Sequence, residues 1–279
     1  MYLQRVLERL PRNRAVRQSV LPILLIPAFA ISCPLPESAE RETAYLHSVH
    51  DGDSLRLADE RRIRLVGINA PELARDGEPA QPLAKAARDE LRALIEPGDK
   101  LQLVYDRERK DHYGRTLAHV YTATGISLEA QLLRRGLAFH IAVPPNLMLA
   151  ACLSEHERQA RQAGHGLWSH PQWKPRSAST LSTDDTGFQR VIGTVKDVAH
   201  NRDLWLELDG PLVLRVSGAD LDHFGPRPAA DWLGRRVEVR GWVVDRSDSG
   251  AARRGFKPLL MPLRSPYAIE TLPRQKSSD

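Results

Sequence analysis

The chain has 279 residues, of which 42% are hydrophobic and 27% charged, with a formal net charge of +5. That composition belongs to a soluble globular protein long enough for one large or two ordinary domains, and it excludes a disordered or a wholly membrane-embedded chain. Residues 1–32 hold five arginines against one glutamate and so carry four of the five net charges. The remainder is close to neutral, which excludes a uniformly basic coat protein and leaves local patches as the only route to a polyanion.

In chain order, the first segment reads as an export signal. Its arginines precede the apolar run 20–32, which is short for a membrane span and contains Pro22 and Pro27. Ala28-Phe29-Ala30 is an A-x-A cleavage pattern, and Ala30-Ile31-Ser32-Cys33 resembles a bacterial lipoprotein processing site with Cys33 as the lipidated residue. An uncleaved anchor is the third reading. All three place the rest of the chain outside the cytoplasm, whether periplasmic, envelope-anchored through a lipid, or secreted. With Cys33 in the tail or acylated, Cys152 lacks a partner, so no structural disulfide is expected and Cys152 reads as a small core residue of a helix.

Residues 34–42 are polar and read as a tether. Residues 43–50 alternate as a strand, Asp51-Gly52-Asp53-Ser54 is a turn, and 54–58 with 61–68 form a hairpin around Asp59-Glu60. Within the second arm Arg64 sits among apolar neighbours, where burying it unpaired would be costly. The strand runs into Asn69-Ala70-Pro71-Glu72, where Pro71 ends ladder pairing. After a loop at 73–81, Leu83, Ala86, Ala87, Leu91, Leu94 and Ile95 recur at helical spacing until Pro97-Gly98. Strands are expected at 100–106 and 116–123. A short helix capped by Ser127 and ended by Gly136 follows, then a third helix at 149–163 closed by an apolar clasp at 164–168. No regular strand–helix–strand alternation appears, so a small, mostly antiparallel barrel decorated by three helices is expected over 43–169.

Residues 170–187 are polar and read as a linker. Five β-like runs follow at 188–198, 204–208, 212–216, 236–244 and 258–263, with a helix or turn insertion at 219–233. This is the pattern of an oligonucleotide/oligosaccharide-binding (OB) barrel, placed at 188–272 and followed by a tail at 273–279. The expected class is therefore α+β: an OB-type five-stranded barrel with three helices, plus a second, mostly β, OB-like barrel.

Three local groups carry chemistry. Asp51-Gly52-Asp53 puts two carboxylates at a turn, which taken alone is the pattern of a plain Asp-Gly turn and in company suits a hard divalent cation. Arg64 precedes Asn69, Ala70 and Glu72 by a few residues, and Asp111-His112-Tyr113-Gly114-Arg115 aims a second arginine from a tight turn. Each arginine alone also fits a solvated strand edge. Together, two guanidinium forks, a cation cluster and a glutamate make a kit for phosphodiester hydrolysis. The forks match phosphoryl oxygens, a cation neutralises charge, and the carboxylate accepts the proton of water.

These motifs, with Arg135-Gly136-Leu137-Ala138 and Gly166-Leu167-Trp168 following in order, resemble the staphylococcal nuclease (thermonuclease) family over roughly 45–169. The resemblance implies a calcium-dependent nuclease that hydrolyses DNA and RNA to 3′-phosphate ends. It implies Arg64 and Arg115 as the phosphate clamps, Glu72 as the residue that activates or orients water, and Asp53 as the principal cation carboxylate. Two positions depart from the family pattern. Asn69 stands where a second metal aspartate is expected, and Ala70 where a threonine lends its carbonyl. Both can still offer an oxygen, but a negative charge is gone, so weaker calcium binding is expected and Mn2+ or another divalent cation stays open. His112 and Tyr113 match a nucleotide-contacting pair, with histidine in place of lysine. The basic strip Arg107, Arg109 and Lys110 reads as a substrate track or a solvated charge run.

On the second barrel, Trp205, Trp232, Trp242 and Phe224 are candidates for base stacking or for core. Arg235, Arg236, Arg240, Arg246, Arg253, Arg254 and Lys257 form a basic region expected to hold nucleic acid near the site. The expected protein is thus an exported, monomeric, metal-dependent endonuclease acting on DNA or RNA. The alternatives are a non-catalytic nucleic-acid-binding module on the same scaffold, and an envelope protein whose second barrel binds glycan or protein.

Overall fold

A computed structural model describes residues 33–75, 77–226, 229–249 and 256–273. The segment 1–32 that reads as an export signal, Arg253, Arg254 and the tail from 274 lie outside the described residues. No helix among the described residues is long and apolar enough to cross a membrane.

The first half runs β1 (Arg41–Val49), β2 (Ser54–Leu57), β3 (Arg62–Leu65), β4 (Ile68–Asn69), α1 (Ala84–Leu94), β5 (Lys100–Val104), β6 (Thr116–Thr122), α2 (Leu128–Arg134), β7 (Phe139–His140) and α3 (Ala150–Ala163). Five of these strands close a barrel in the order β1-β2-β3-β6-β5. Period-two alternation turns Leu46, Leu55, Leu57, Ile63, Leu65, Leu101 and Leu103 inward, and the helices add Ala87, Leu91, Leu132 and Leu153 to the same core. The expected cap is in place: Ser127 Oγ accepts the Ala130 amide at 3.2 Å. Buried Glu129 locks it by accepting from Ser127 Oγ and the Val120 amide, both at 2.9 Å.

The second half runs β8 (Arg176–Ser177), β9 (Gly187–His200), β10 (Leu204–Leu208), β11 (Leu212–Val216), β12 (Arg236–Asp245), β13 (Leu259–Pro262) and β14 (Ile269–Thr271). The ring β9-β10-β11-β13-β12 closes through the β12–β9 pairing, giving a second five-stranded barrel. The insertion at 219–233 consists of two short 3-10 turns, and Trp232 is buried in this barrel's core.

Two segments read as tether and linker are instead packed. In 34–42, Leu35 and Ala39 pack on the first core and β1 already starts at Arg41. In 170–187, β8 pairs in parallel with β9, Ala178 and Leu181 are buried in the second core, and Trp173 Nε1 donates to the Pro82 carbonyl at 3.1 Å. A few apolar side chains anchor each stretch although its average composition is polar.

The cysteine expectation is corrected as well. Cys33 and Cys152 form a disulfide with Cα atoms 5.8 Å apart, closing a loop across 119 residues. Cys33 is fully buried, and with its sulfur bonded to Cys152 it has none to offer a lipid thioether. The imidazole of His156 lies with both sulfurs inside 4.8 Å, but sulfurs bonded to each other are not the thiolates a metal site needs. Cys152→Ser should lower stability by about 2–5 kcal/mol, the usual loss on removing a native bridge. Urea unfolding with and without reductant checks it: reductant should shift the parent's midpoint and leave the variant's unchanged.

The two barrels meet along an aromatic and ionic seam. Phe139 packs against Trp168, Trp173 and Phe188 with ring centroids 5.2–5.5 Å apart. Glu238 accepts from Arg190 at 2.6 Å and from Arg161 at 2.6 Å, and Arg161 also reaches Glu270 at 2.7 Å. Glu157 takes the His140 amide and the Arg240 guanidinium, both at 2.6 Å. The His140 ring packs on Tyr267, and neither ring nitrogen has a hydrogen-bond partner among the described residues. Burial, and then the nearby Arg240 charge, press His140 down to about 3, so the seam holds a neutral imidazole.

The basic region expected to face nucleic acid is in large part structural. Arg240 is consumed in this seam. Arg246 donates to the Lys257 carbonyl, and Lys257 Nζ is held by the Leu208 and Gly210 carbonyls.

Candidate active site

A cleft of about 1010 Å³ opens beside the first barrel, bordered by the β1–β2 turn, β3, the β3–β4 exit and the turn before β6. Gly67 makes the exit possible. It has φ of 87°, and a Cβ there would lie 2.5 Å from Leu153 Cδ1. The chain then reverses into β4, which pairs with β7 through Ile68↔His140 and Asn69↔Phe139.

Arg64 points from β3 into this cleft. Its NH1 donates to the Leu65 and Ile68 carbonyls at 2.8 and 2.9 Å, and its NH2 lies 3.0 Å from Asp53 Oδ2. The guanidinium that looked costly to bury is therefore paired on both sides. Asp53 is 5% exposed, and its Oδ2 also accepts the Ala70 amide at 2.9 Å. Burial pushes the Asp53 carboxyl up to about 7, against the pull of Arg64. A Cβ on Gly52 would meet Ala70 and Ala87 at 2.6 Å, so only glycine brings this turn so close to the exit segment.

Asp51 does not face outward as a free second carboxylate. Its Oδ1 accepts the Asp53 amide at 3.0 Å and Ser54 Oγ at 2.7 Å, which makes it the brace of the turn. Asn69 lines the cleft with its Oδ1 3.5 Å from Arg64, and Ala70 presents its amide, not its side chain, to Asp53. Glu72 is exposed on the cleft, and Gln81 straps its backbone from both sides: Gln81 Oε1 accepts the Glu72 amide, and the Gln81 amide donates to the Glu72 carbonyl, each at 2.9 Å.

Arg115 is aimed by Asp111, whose Oδ2 accepts Arg115 Nε at 2.7 Å while Oδ1 accepts the Arg115 amide at 2.9 Å. Burial would raise the Asp111 carboxyl, but these bonds outweigh it and hold it below the usual range. Tyr113 is 66% exposed and lines the cleft with His112 stacked beside it, so packing under the hairpin is excluded. In the basic strip, Arg109 is tied to Glu40 and lies over the Tyr105 ring. Asn146 fixes the neighbouring loop by exchanging two 2.8 Å bonds with the Glu108 backbone.

The cleft thus gathers all eight residues expected there: Asp53, Arg64, Asn69, Glu72, His112, Tyr113 and Arg115 line it, and Ala70 stands behind Asp53. Sequence reasoning missed Gln81 and Asp111 as holders, and it named Trp242 of the second barrel as a stacking or core candidate without placing it on this cleft, which it lines. The pairing of Asp111 with Arg115 at i, i+4 was the one local signal for these.

The donor set fits a hard divalent cation. Asp53 and Asn69 offer oxygens at the cleft, the Asp53 Oδ1 has no hydrogen-bond partner among the described residues, and the described lining holds no sulfur, although the imidazoles of His50 and His112 also line it. A buried carboxyl pushed upward is also one that a bound positive charge would stabilise in its ionised form.

An OB-type barrel with three helices and an arginine-lined cleft defines the class. The family model for staphylococcal nuclease homologues matches residues 62–170. The thermonuclease of Staphylococcus intermedius is 31% identical over 130 residues, spanning 46% of this chain and 76% of that protein. The thermonuclease of Staphylococcus hyicus is 29% identical over 136 residues, with shares of 48% and 79%. An uncharacterized endonuclease of Escherichia coli is 32% identical over 132 residues, with shares of 45% and 78%. The chain belongs to the staphylococcal nuclease family, and it carries a second barrel beyond the matched segment.

Proposed function

We propose that this protein is an exported, divalent-cation-dependent nuclease that hydrolyses phosphodiester bonds of DNA or RNA in the cleft. The observation that carries the proposal is the convergence of two carboxylate-held arginines and an exposed glutamate on one cleft. Arg64 and Arg115 meet the phosphoryl oxygens with planar forks whose orientation Asp53 and Asp111 set before substrate arrives. Glu72, strapped by Gln81, accepts the proton of the attacking water as the water oxygen bonds to phosphorus and the ester oxygen leaves, taking a proton from solvent to become the alcohol. A divalent cation held by Asp53, Asn69 and the Ala70 carbonyl would add charge neutralisation at the phosphoryl group. The second barrel aids binding by adding a wall to the cleft. Export is supported by the buried disulfide, a bond that persists in oxidising compartments, together with the arginine-then-apolar N-terminus.

Chelator should abolish cutting of single-stranded DNA, and calcium or manganese should restore it. Because Asn69 removes a negative charge, calorimetry without nucleotide should give a calcium Kd weaker than about 1 μM, since ligand charge sets such affinities. Cutting that persists in chelator, or submicromolar binding, would contradict these expectations.

A further inference from the structure

Trp242 lies on β12 of the second barrel yet lines the cleft of the first. Strand alternation sends Val239, Gly241 and Val243 into the barrel and turns Trp242 outward, leaving it 44% exposed. The ring is not loose. It packs edge-to-face on Phe188, the residue opposite it on β9, with centroids 5.2 Å apart and planes at 70°. Phe188 in turn rests 5.3 Å from Phe139 in the first barrel. A rigid strand and an aromatic relay across the seam therefore hold one indole at the mouth of a cleft that also contains Arg64, Arg115 and Tyr113.

Trp205 and Trp232 do not share this position. Trp232 is core, and Trp205 is half-buried against Arg215 and Arg246.

We infer that Trp242 is a base-stacking platform, supplied by the second barrel, that binds an unpaired nucleotide next to the phosphate held by Arg64 and Arg115. An indole offers a flat face to any base, so recognition is sequence-tolerant. In a duplex both faces of a base are covered by its neighbours. The platform therefore favours single strands, frayed ends or loops, and it raises affinity without touching the reacting atoms. The inference rests on the proposed reading of the cleft as the phosphodiester site.

The test separates the two. Binding is read by fluorescence anisotropy of a labelled oligothymidylate on the full chain carrying Glu72→Gln, with and without Trp242→Ala. Loss of one stack predicts affinity lower by about 5- to 100-fold. Trp242→Phe should stay near the parent, and duplex affinity should change little. In the cutting chain, Trp242→Ala should raise KM for single strands and leave kcat near the parent value. Trp242→Leu, which keeps apolar contact with Phe188 but cannot stack, should behave like alanine and guards against a folding artefact. Unchanged single-strand affinity in both the alanine and leucine variants, or equal losses on single strand and duplex, overturns the platform. Binding that depends on Trp242 in a chain that cuts nothing would keep the platform and remove the catalytic reading.

Discussion

Arg64→Ala and Arg115→Ala are each expected to lower the single-turnover rate of phosphodiester cleavage by about 10²-fold or more, the loss seen when one preorganised charge stabiliser is removed from a transition state. Arg64 is the more exposed to this logic because it does two things. Its NH1 is fixed by the Leu65 and Ile68 carbonyls, which aims the fork before substrate binds. Its NH2 lies 3.0 Å from buried Asp53 and is the main charge opposing desolvation of that carboxyl. Without Arg64, Asp53 loses the charge that opposes its desolvation, and the phosphoryl group loses one of its two forks. Arg64→Lys should recover little, because an ammonium cannot satisfy two carbonyls and a carboxylate with planar geometry. Arg115→Ala leaves Asp111 its bonds from the backbone amides of positions 113 and 115, so the loss should fall on rate rather than on stability. A rate within about threefold of the parent for either alanine variant would contradict its place at the phosphoryl group.

Glu238→Ala should destabilise the protein by about 3–5 kcal/mol, the range for breaking a buried ion pair from one side. Glu238 and Arg190 are each 8% exposed, and Glu238 Oε1 accepts two bonds from Arg190 while Oε2 accepts one from Arg161. Its removal leaves Arg190 with the Trp173 carbonyl as its remaining hydrogen bond, beneath the rings of Trp168 and Phe139. Arg161→Ala should cost far less, on the order of 1 kcal/mol or below, because that arginine is partly solvated and its other partner, Glu270, is exposed. Glu238→Leu combined with Arg190→Met should return much of the loss, since two apolar groups leave no charge unpaired. Urea unfolding of the three variants distinguishes these outcomes. A loss below about 1 kcal/mol for Glu238→Ala would show that the seam is held by its aromatic rings alone.

How much of this was legible before the fold was known depends on the range of each interaction. The strands of both barrels follow period-two alternation, and α2 was readable from Ser127 at one end and Gly136 at the other. The cleft residues were readable because Arg64 to Glu72 and Asp111 to Arg115 are each a continuous stretch whose side chains act together. Interactions that join distant stretches left no such trace. Cys33 looked like a tail residue, and nothing near Cys152 signals a partner 119 residues away. Arg190, Glu238 and Glu157 carry no local signal, and Arg240 reads as part of a basic surface for nucleic acid, since an ion pair is buried by the docking of two barrels and not by its neighbours in sequence. Ala178 and Leu181 were hidden by the polar residues around them. Trp242 carried an alternation that pointed it off its own barrel, but its place on the cleft of the other depends on how the two pack.

The central claim is that the cleft around Arg64, Glu72 and Arg115 cuts nucleic acid. The most direct measurement is single-turnover cleavage of a labelled single-stranded oligonucleotide by the full chain in calcium and in manganese, beside Glu72→Gln at equal folded concentration. The account predicts cation-dependent cutting by the parent, and a rate about 10²-fold lower or less in the variant, which retains binding. Binding by both chains with no cutting in either cation would contradict it, and would mean that Asn69 and Ala70 leave the site able to hold a phosphodiester but not to hydrolyse it.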